Sequence, residues 1–389
     1  MSLDWSTLRA LARLTDDVGV LSLYVTADPR EEGAQPAWQV RARNELKRLV
    51  DQANEDGPRD RSAAVRSRLD ALSDHIDHVL DPRTPGLGRA LFAAVDGGEV
   101  YVVTLQVPLT DRAVLRPTPL LRPLLGAWSA AGPAGAVAVS IEEIRLVDLR
   151  FGLAEEIATI EYPEDVGDRR RLKGPAHGSP ATTYHAGAPQ QDLFERREED
   201  RAIRYLRSLG PQINDHVRER GWELLAVTGE AKLSHALSEE LSPGSGAEVV
   251  TLTRTVTPPT PTRIAATVES ALADSRTKRN RRLAEEARDA GLSASATTGA
   301  AGLEPTLEAL QQGRVAHLLF AADGQWTGRR MPDGSLIVGG TAAGSEPEPH
   351  LDERMIALAL REGAAITVLD GDAAEPFAQT EKIGAVLRW

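Results

Sequence analysis

Trp222-Glu223-Leu224-Leu225-Ala226-Val227-Thr228-Gly229 is an apolar run that ends in glycine, and it predicts a buried strand. A helical pattern follows at residues 232–241, and a second apolar run at Glu248–Leu252 predicts another strand. Strands that alternate with helices are typical of an α/β domain. This strand–helix–strand order therefore decides the fold class of the middle of the chain.

A loop-like segment lies upstream of this unit. Strands are expected at 136–140, at 144–149 and from 152 onwards, and a charged helix is expected at 192–209. Between them, residues 168–191 contain three glycines and three prolines, which exclude a regular element. A polar loop of this length is uncommon in a compact domain unless it is functional or disordered. We therefore predict a small α/β domain from which this loop projects.

The charge of this region limits its partners. From residue 169 to residue 220 the basic side chains outnumber the acidic ones by roughly four, whereas the whole chain has a net charge of −12. A positive segment on an acidic body favours one anionic partner over general adhesion to nucleic acid. The alternative is that the segment is only solvated and that salt bridges hold the helix after it.

The N-terminal third carries no chemical signature. Its predicted elements are helices at 5–14, 37–52, 61–80 and 117–128 and strands at 18–25, 87–95 and 99–105. Asp96-Gly97-Gly98 is a strong hairpin turn between the last two strands. We interpret Arg41, Arg43, Lys47 and Arg48 as a solvated helix face, with contact to RNA as the alternative.

The last third predicts a second α/β layer. Pro258-Pro259-Thr260-Pro261 is expected to form a stiff connection that precedes it. The predicted elements are helices at 263–289, 303–312 and 352–362, strands at 315–321, 364–369 and 382–389, and a polar loop at 323–351. The fold class is therefore α/β, in a three-domain chain of mixed sheets with domains at 1–132, 133–257 and 258–389.

Composition excludes several classes of function. A chain of 389 residues with 41% hydrophobic content can build two or three domains. The absence of cysteine excludes disulfides, thiol nucleophiles and cysteine-bound metals, and fits a reducing compartment. We see neither a secretory signal nor the roughly 20 apolar residues of a membrane helix. We therefore expect a cytoplasmic protein without a membrane partner.

No complete cofactor or metal motif is present. Gly86-Leu87-Gly88 lacks the third glycine of a dinucleotide fingerprint and precedes a strand instead of following one. His177 and His185 lie near Glu195 and Asp200 in sequence, but their spacing supports no preformed metal site. We therefore expect no cofactor and no metal.

The last residues, Ile383-Gly384-Ala385-Val386-Leu387-Arg388-Trp389, resemble the closing strand of archaeo-eukaryotic class-I release factors and Pelota. A Gly-Ile-(Gly/Ala)-Ala-(Ile/Val)-Leu-Arg-aromatic run is typical there. Residues 304–320 look like the preceding helix–strand unit of that C-terminal domain, which has an L7Ae/L30e-like fold. Phe194-Glu195-Arg196-Arg197-Glu198 is similar to the Arg-Phe-x-Arg-x-Arg helix start of the family's central domain. The resemblance covers residues 135–389 and points to the bacterial branch of the superfamily, which includes Balon-like ribosome hibernation factors.

This resemblance implies a translation factor that enters the ribosomal A site, with the loop at 169–191 directed to the peptidyl-transferase centre. Alignment on Phe194 places Gly187-Ala188-Pro189 where release factors carry Gly-Gly-Gln, so a non-catalytic role in hibernation or stress is expected. Gln190 and Gln191 are the catalytic candidates, because an amide can position water although it cannot act as a base. The residues expected to contact the ribosome or its RNA are Arg169, Arg170, Arg171, Lys173, His177, His185, Gly187, Ala188, Pro189, Gln190, Gln191, Arg196, Arg197 and Arg201.

Two alternatives stay open. One is a rescue-type peptidyl-tRNA hydrolase that acts on stalled ribosomes, and the other is a non-ribosomal RNA-binding adaptor that uses the L7Ae-like domain. The resemblance implies the ribosome, through ribosomal RNA at the A site, as the partner. It also implies elongation factor Tu as a GTPase partner, and it implies neither DNA nor a membrane.

Overall fold

The computed structural model describes residues 3–31, 33, 35–56, 59–163, 200–241, 246–293, 297–339 and 343–389. They form a mixed α/β structure with several sheets, which confirms the predicted fold class. Their contacts group them into two compact units. Unit 1 combines Met1–Ala130 with Thr277–Trp389, and unit 2 is Ala131–Arg276. The three expected domains, with boundaries after residues 132 and 257, stay a prediction.

The N-terminal part of unit 1 is built on one antiparallel sheet. Its described elements are α1 (Trp5–Ala12), β1 (Val20–Thr26), α2 (Ala37–Asp56), α3 (Arg59–Ala71), α4 (Ser73–Leu80), β2 (Gly88–Ala94), β3 (Val100–Leu105), β4 (Arg112–Arg116) and α5 (Arg122–Ala131). The strand order is β3-β2-β1-β4. The predicted turn at Asp96-Gly97-Gly98 joins β2 to β3, and both of its glycines have positive φ.

The two faces of this sheet are covered differently. Leu21, Leu23 and Val25 of β1 point into a core that α2, α3 and α4 complete. Because side chains alternate along a strand, Tyr24 lies on the opposite face. Its hydroxyl donates to the carbonyl of Leu120, just before α5. This second face is therefore the one that meets α5.

Two N-terminal predictions are corrected in detail. The helix expected at 61–80 is divided at Leu72 into α3 and α4. The helix expected at 117–128 begins only at Arg122, because Pro117 and Pro119 hold the chain before it outside the helical region. The short strand β4 was not predicted.

Unit 2 is a three-layer α/β domain. Its described elements are β5 (Ala134–Val139), β6 (Glu143–Asp148), β7 (Glu155–Glu161), α6 (residues 200–208), α7 (Gly210–Arg220), β8 (Leu224–Gly229), α8 (Ala231–Leu241), β9 (Glu248–Leu252) and the first half of α9 (Pro261–Leu292). The sheet has the order β7-β6-β5-β8-β9. Strands β5, β8 and β9 are parallel, whereas β6 and β7 are antiparallel to their neighbours. Helices α6, α7 and α8 pack on one face and α9 on the other, which confirms the strand–helix–strand order predicted for 222–252.

The C-terminal part of unit 1 is built on a second mixed sheet. Its described elements are β10 (Gly299–Ala301), α10 (Leu303–Gln311), β11 (Val315–Ala321), β12 (Gly328–Arg330), β13 (Leu336–Ile337), β14 (Glu346–Glu348), α11 (Leu351–Arg361), β15 (Ala365–Leu369) and β16 (Ile383–Leu387). The order is β10-β16-β11-β15, with β11 and β15 parallel. The loop predicted at 323–351 is wrong in part, because it contains a small sheet of the order β13-β12-β14. No helix in the described ranges has the length and apolar content that crossing a membrane requires.

Steric crowding explains why the C-terminal motif has glycine at position 384. Gly384 lies in β16, between β10 and β11. A Cβ atom on Gly384 would lie 2.7 Å from the Phe377 ring and 2.9 Å from the Ala300 carbonyl oxygen. Phe377 is fully buried in the core of this sheet. The motif therefore keeps glycine because a side chain would collide with both neighbours.

Glu353 joins the two sequence segments of unit 1. Its carboxylate, 3% exposed, accepts hydrogen bonds from the backbone N–H groups of Leu121 at 2.9 Å and of Arg122 at 3.4 Å. Burial raises the pKa of Glu353 to about 7, against the lowering effect of the Leu121 N–H group. Arg122 reaches back to Asp352 at 3.1 Å and stacks on Phe320, with its guanidinium carbon 5.0 Å from the ring centre. The start of α5 is therefore held by the first turn of α11.

Candidate nucleic-acid interface

One of the residues expected to contact RNA lies in the described part of the chain. Arg201 is on α6, and its side chain is exposed. The others fall between residues 164 and 199, outside the described residues: Arg169, Arg170, Arg171, Lys173, His177, His185, Gly187, Ala188, Pro189, Gln190, Gln191, Arg196 and Arg197. Their roles stay predictions.

Two described elements of unit 2, the edge strand β7 and the helix α6, flank residues 164–199 in the sequence. Strand β7 is the edge strand and ends at Glu161, which pairs with Glu143 of β6. The described chain continues to Pro163 and resumes at residue 200, in α6. Residues 169–191, which contain four basic and no acidic side chains, lie between these two described ends, and we call them the basic segment.

Two tyrosines hold these ends together. Tyr162 follows β7 and Tyr205 lies on α6, with their ring centres 5.4 Å apart. The Tyr205 hydroxyl is 3.4 Å from the carbonyl oxygen of Glu161, to which it donates. Tyr162 is 8% exposed, and its hydroxyl has no hydrogen-bond partner within the described ranges. Burial, and to a smaller extent Tyr205, raise the pKa of Tyr162, which therefore stays neutral.

Apolar packing fixes the returning helix. Leu206 and Leu209 are buried with Ile213 of α7 against Ile144 and Leu146 of β6. Burying a leucine side chain contributes roughly 1.5–3 kcal/mol, so α6 is held by several kcal/mol against the sheet. The described chain is therefore anchored to the sheet on both sides of residues 164–199, at Tyr162 and at α6.

The solvent side of α6 carries arginines. Arg201, Arg204 and Arg207 are all exposed and recur every third residue, on the side of the helix away from Leu206. The Arg204 Nε donates to the backbone carbonyl of Asp200 at 3.1 Å. A carbonyl has no net charge, so this contact does not neutralise the guanidinium group of Arg204. Among the described residues, Arg207 forms a long ion pair of 3.7 Å with Glu239, and both side chains are largely exposed. This face can bind phosphate groups next to the basic segment.

The described residues of this site can bind phosphate groups and hold the chain in position. No group of three or more acidic or histidine side chains capable of holding a metal ion occurs in the described ranges. Sequence reasoning missed Tyr162 and Tyr205. The sequence feature that could have indicated them is the presence of one aromatic residue on each side of a glycine- and proline-rich stretch. Aromatic side chains that pack together can fix the two ends of a long loop.

Comparison with known proteins gives a family match for the central part of the chain. Residues 133–251 match the model of bacterial archaeo-eukaryotic release factor family 5. This range contains the whole sheet of unit 2 except the last residue of β9, and it contains Tyr162, Tyr205 and the basic segment. A search of the curated proteins found no relative of the chain.

The solved structures that match this chain superpose on it with low TM-scores. An archaeal translation termination factor, aRF1, covers 100% of this chain and 99% of its own, at 14% identity and a TM-score of 0.25. The alignment with archaeal Pelota, from a model of ribosome-bound Pelota and ABCE1, covers 78% of this chain and 77% of Pelota, at 13% identity and a TM-score of 0.41. The alignment with Dom34 of S. cerevisiae covers 75% of this chain and 74% of Dom34, at 11% identity and a TM-score of 0.40.

Such low TM-scores support no statement about function, and the similarity to the family comes from the central match alone. The central residues 133–251 are therefore similar to bacterial archaeo-eukaryotic release factor family 5.

Proposed function

We propose that this chain is a translation factor that binds the ribosomal A site, with residues 169–191 directed to the peptidyl-transferase centre, in the non-catalytic role of a hibernation or stress factor. The observation that carries the proposal is the release-factor family match of residues 133–251. At the third position of the expected Gly-Gly-Gln motif the chain has Pro189, which favours occupation over hydrolysis.

The support around the basic segment agrees with this role. A segment that must reach into an RNA cavity needs a fixed base, and Tyr162 and Tyr205 provide one at the edge of the sheet. The arginine face of α6 adds positive charge beside that base. Because phosphate contacts position a protein without reading sequence, this arrangement suits a large RNA of fixed shape.

Ribosome association is the direct test. We expect tagged protein from stationary-phase lysate to travel with ribosomes in a low-salt sucrose gradient. Binding should weaken as salt rises, by roughly 10²-fold between 50 and 200 mM if about four phosphates are neutralised. Protein that stays at the top of the gradient at low salt would contradict the proposal and leave the non-ribosomal RNA adaptor as the better function.

Peptidyl-tRNA hydrolysis is the second candidate, because Gln190 and Gln191 follow Pro189 directly. We expect no appreciable release of peptide from ribosome-bound peptidyl-tRNA, since an amide displaced by one position no longer aims at the ester bond. Release is measured with purified ribosome complexes and labelled peptidyl-tRNA. Rapid release that Gln190→Ala or Gln191→Ala abolishes, while binding persists, would establish the hydrolase instead.

Delivery by a GTPase belongs to the same proposal. Elongation factor Tu is the GTPase that the family resemblance implies. Its contribution would appear in the same gradient as tighter ribosome binding with the GTP-bound factor than without it.

A further inference from the structure

Aspartate is followed directly by glycine at five places in this chain, where the aspartates are residues 56, 96, 323, 333 and 370. In such a pair the glycine nitrogen can attack the side-chain carboxyl carbon of the aspartate, because glycine has no side chain to block the approach. The attack gives a cyclic imide, which water reopens to aspartate or to isoaspartate. We propose that Asp370 is a site of isoaspartate formation in the folded protein, and that it reacts faster than the other described pairs.

The reaction needs only the two residues and water. The amide nitrogen of Gly371 loses its proton and forms a bond to Cγ of Asp370. One carboxyl oxygen leaves Cγ as water, and a five-membered imide ring remains. A water molecule then adds to one of the two imide carbonyl groups. When it opens the ring at the main-chain carbonyl of Asp370, the chain continues through Cβ and Cγ, and the residue is isoaspartate.

The structure brings the two reacting groups of this pair into contact. The Gly371 N–H group donates to Oδ1 of Asp370 at 2.8 Å. Cγ is bonded to this oxygen, so it lies at most one bond length further from the nitrogen than the oxygen does. Contact before reaction accelerates an intramolecular step, since the reacting atoms need little further ordering. Both residues are exposed, so water reaches the imide that forms.

The turn after β15 produces this contact. Asp370 has an extended backbone, with φ −128° and ψ 154°, whereas Gly371 has a φ of 51°. A positive φ of this size is in the left-handed region, which glycine adopts without strain. The chain therefore turns at Gly371 with its N–H group directed to the Asp370 side chain.

In the other described pairs the glycine N–H group donates to the backbone carbonyl three positions before it. These bonds are Gly97 to Ala94 at 3.4 Å, Gly324 to Ala321 at 2.9 Å and Gly334 to Met331 at 2.9 Å. Each engages the nitrogen with a carbonyl group instead of with its own aspartate. The fifth pair is Asp56 and Gly57, and Gly57 lies outside the described residues.

Two of the slower pairs also have stabilised carboxylates. Lys382 donates to Asp323 and lowers the pKa of that carboxyl group. The backbone and hydroxyl groups of Ser335 donate to Asp333 at 2.9 and 2.6 Å, and they lower its pKa as well. The neutral acid is the form that a nitrogen attacks readily, whereas a hydrogen-bonded carboxylate resists attack. These contacts therefore slow the reaction at both aspartates.

Isoaspartate at position 370 would affect the core of unit 1. The residue lies between Leu369, which is fully buried at the end of β15, and the helical turn Gly371–Phe377, whose Phe377 is also fully buried. Its carbonyl accepts the N–H group of Ala373 at 3.1 Å. Isoaspartate adds one carbon to the main chain between these two buried side chains, so the modified protein should be less stable.

Peptide mapping of full-length wild-type protein tests the proposal. Folded protein is kept at neutral pH for several days and digested with trypsin, which places the four described pairs on separate peptides, residues 90–112, 315–329, 331–354 and 362–382. An isoaspartate peptide keeps its mass, separates by chromatography and accepts a labelled methyl group from an isoaspartyl methyltransferase. We expect several-fold more isoaspartate in peptide 362–382 than in each of the others. Equal or smaller amounts there would overturn the proposal.

Protein kept in urea is the matched control, because unfolding removes these contacts and leaves the four sequences unchanged. The excess in peptide 362–382 should then shrink, since the four glycine nitrogens become equally free. An excess that persists undiminished in urea would assign the reaction to the local sequence and overturn the role of the fold.

Two variants locate the modified residue. Asp370→Glu keeps the charge but would need a six-membered ring, which forms much more slowly. After the same incubation, wild type and the control Asp333→Glu should melt lower than before by similar amounts, whereas Asp370→Glu should not change. Isoaspartate in peptide 362–382 of Asp370→Glu would overturn the assignment. The map of wild type decides the proposal even if this variant does not fold.

Discussion

Replacing Arg169, Arg170, Arg171 and Lys173 with alanine is expected to lower ribosome affinity by a few orders of magnitude and to leave the melting temperature unchanged. Losing about four phosphate contacts has an effect of this size at moderate salt, whereas substitutions away from a packed core usually change stability by within about 0.5 kcal/mol. Co-sedimentation across a salt series measures the first effect, and the binding that remains should depend less on salt. Thermal unfolding measures the second.

The control removes four exposed cations from the N-terminal part, at Arg9, Arg13, Arg43 and Lys47. It has the same net charge as the quadruple variant and should bind ribosomes like wild type. Equal loss in both variants would mean that net charge alone drives binding. A strongly lowered melting temperature of the quadruple variant would show that its four residues are structural. Wild-type binding by that folded variant would show that they are only solvated.

Replacing Glu353 with glutamine is expected to remove a large pH dependence of unit 1. The pKa of Glu353 lies at about 7 in the folded protein, above its usual 4.5, because of burial. Its contribution to stability is therefore complete below about pH 4.5 and is lost as the pH rises through 7, where a buried charge forms. From the linkage relation, wild type should lose about 2 kcal/mol between about pH 5.5 and pH 8.5, whereas Glu353→Gln should lose less.

Urea unfolding at the two pH values, followed by tryptophan fluorescence, measures this change. Five of the six tryptophans lie in unit 1, so the signal reports mainly on that unit. Glu286→Gln removes an exposed acid of α9 and should behave like wild type. If wild type and Glu353→Gln show the same pH dependence, then Glu353 is not the group that titrates near neutrality.

The elements that the sequence predicted well are those whose signal is local. Leu224–Gly229 and Glu248–Leu252 are nearly continuous apolar runs because they belong to the parallel part of a mixed sheet that helices cover on both faces. The turn at Asp96-Gly97-Gly98 needs positive φ values that glycine adopts without strain. Local chemistry sets these features, and a single sequence contains it.

The features that were missed depend on long-range pairing. Strands β12, β13 and β14 have two or three residues each and carry no apolar alternation, so only their mutual pairing defines them. Tyr162 and Tyr205 meet although they are 43 positions apart in the sequence. Glu353 reaches Leu121 across 232 positions. No local pattern specifies which distant group a side chain will contact.

The long separation between Glu353 and Leu121 has a consequence for biosynthesis. The core between β1 and α2 can assemble from residues that leave the ribosome early. The opposite face of the same sheet, where α5 begins, is completed only after α11 has been synthesised. At about 5 to 20 residues per second this delay lasts roughly 10 to 50 s. During that interval the start of α5 lacks the Glu353 carboxylate that accepts the Leu121 N–H group, so this face of the sheet is completed after translation rather than cooperatively with the first core.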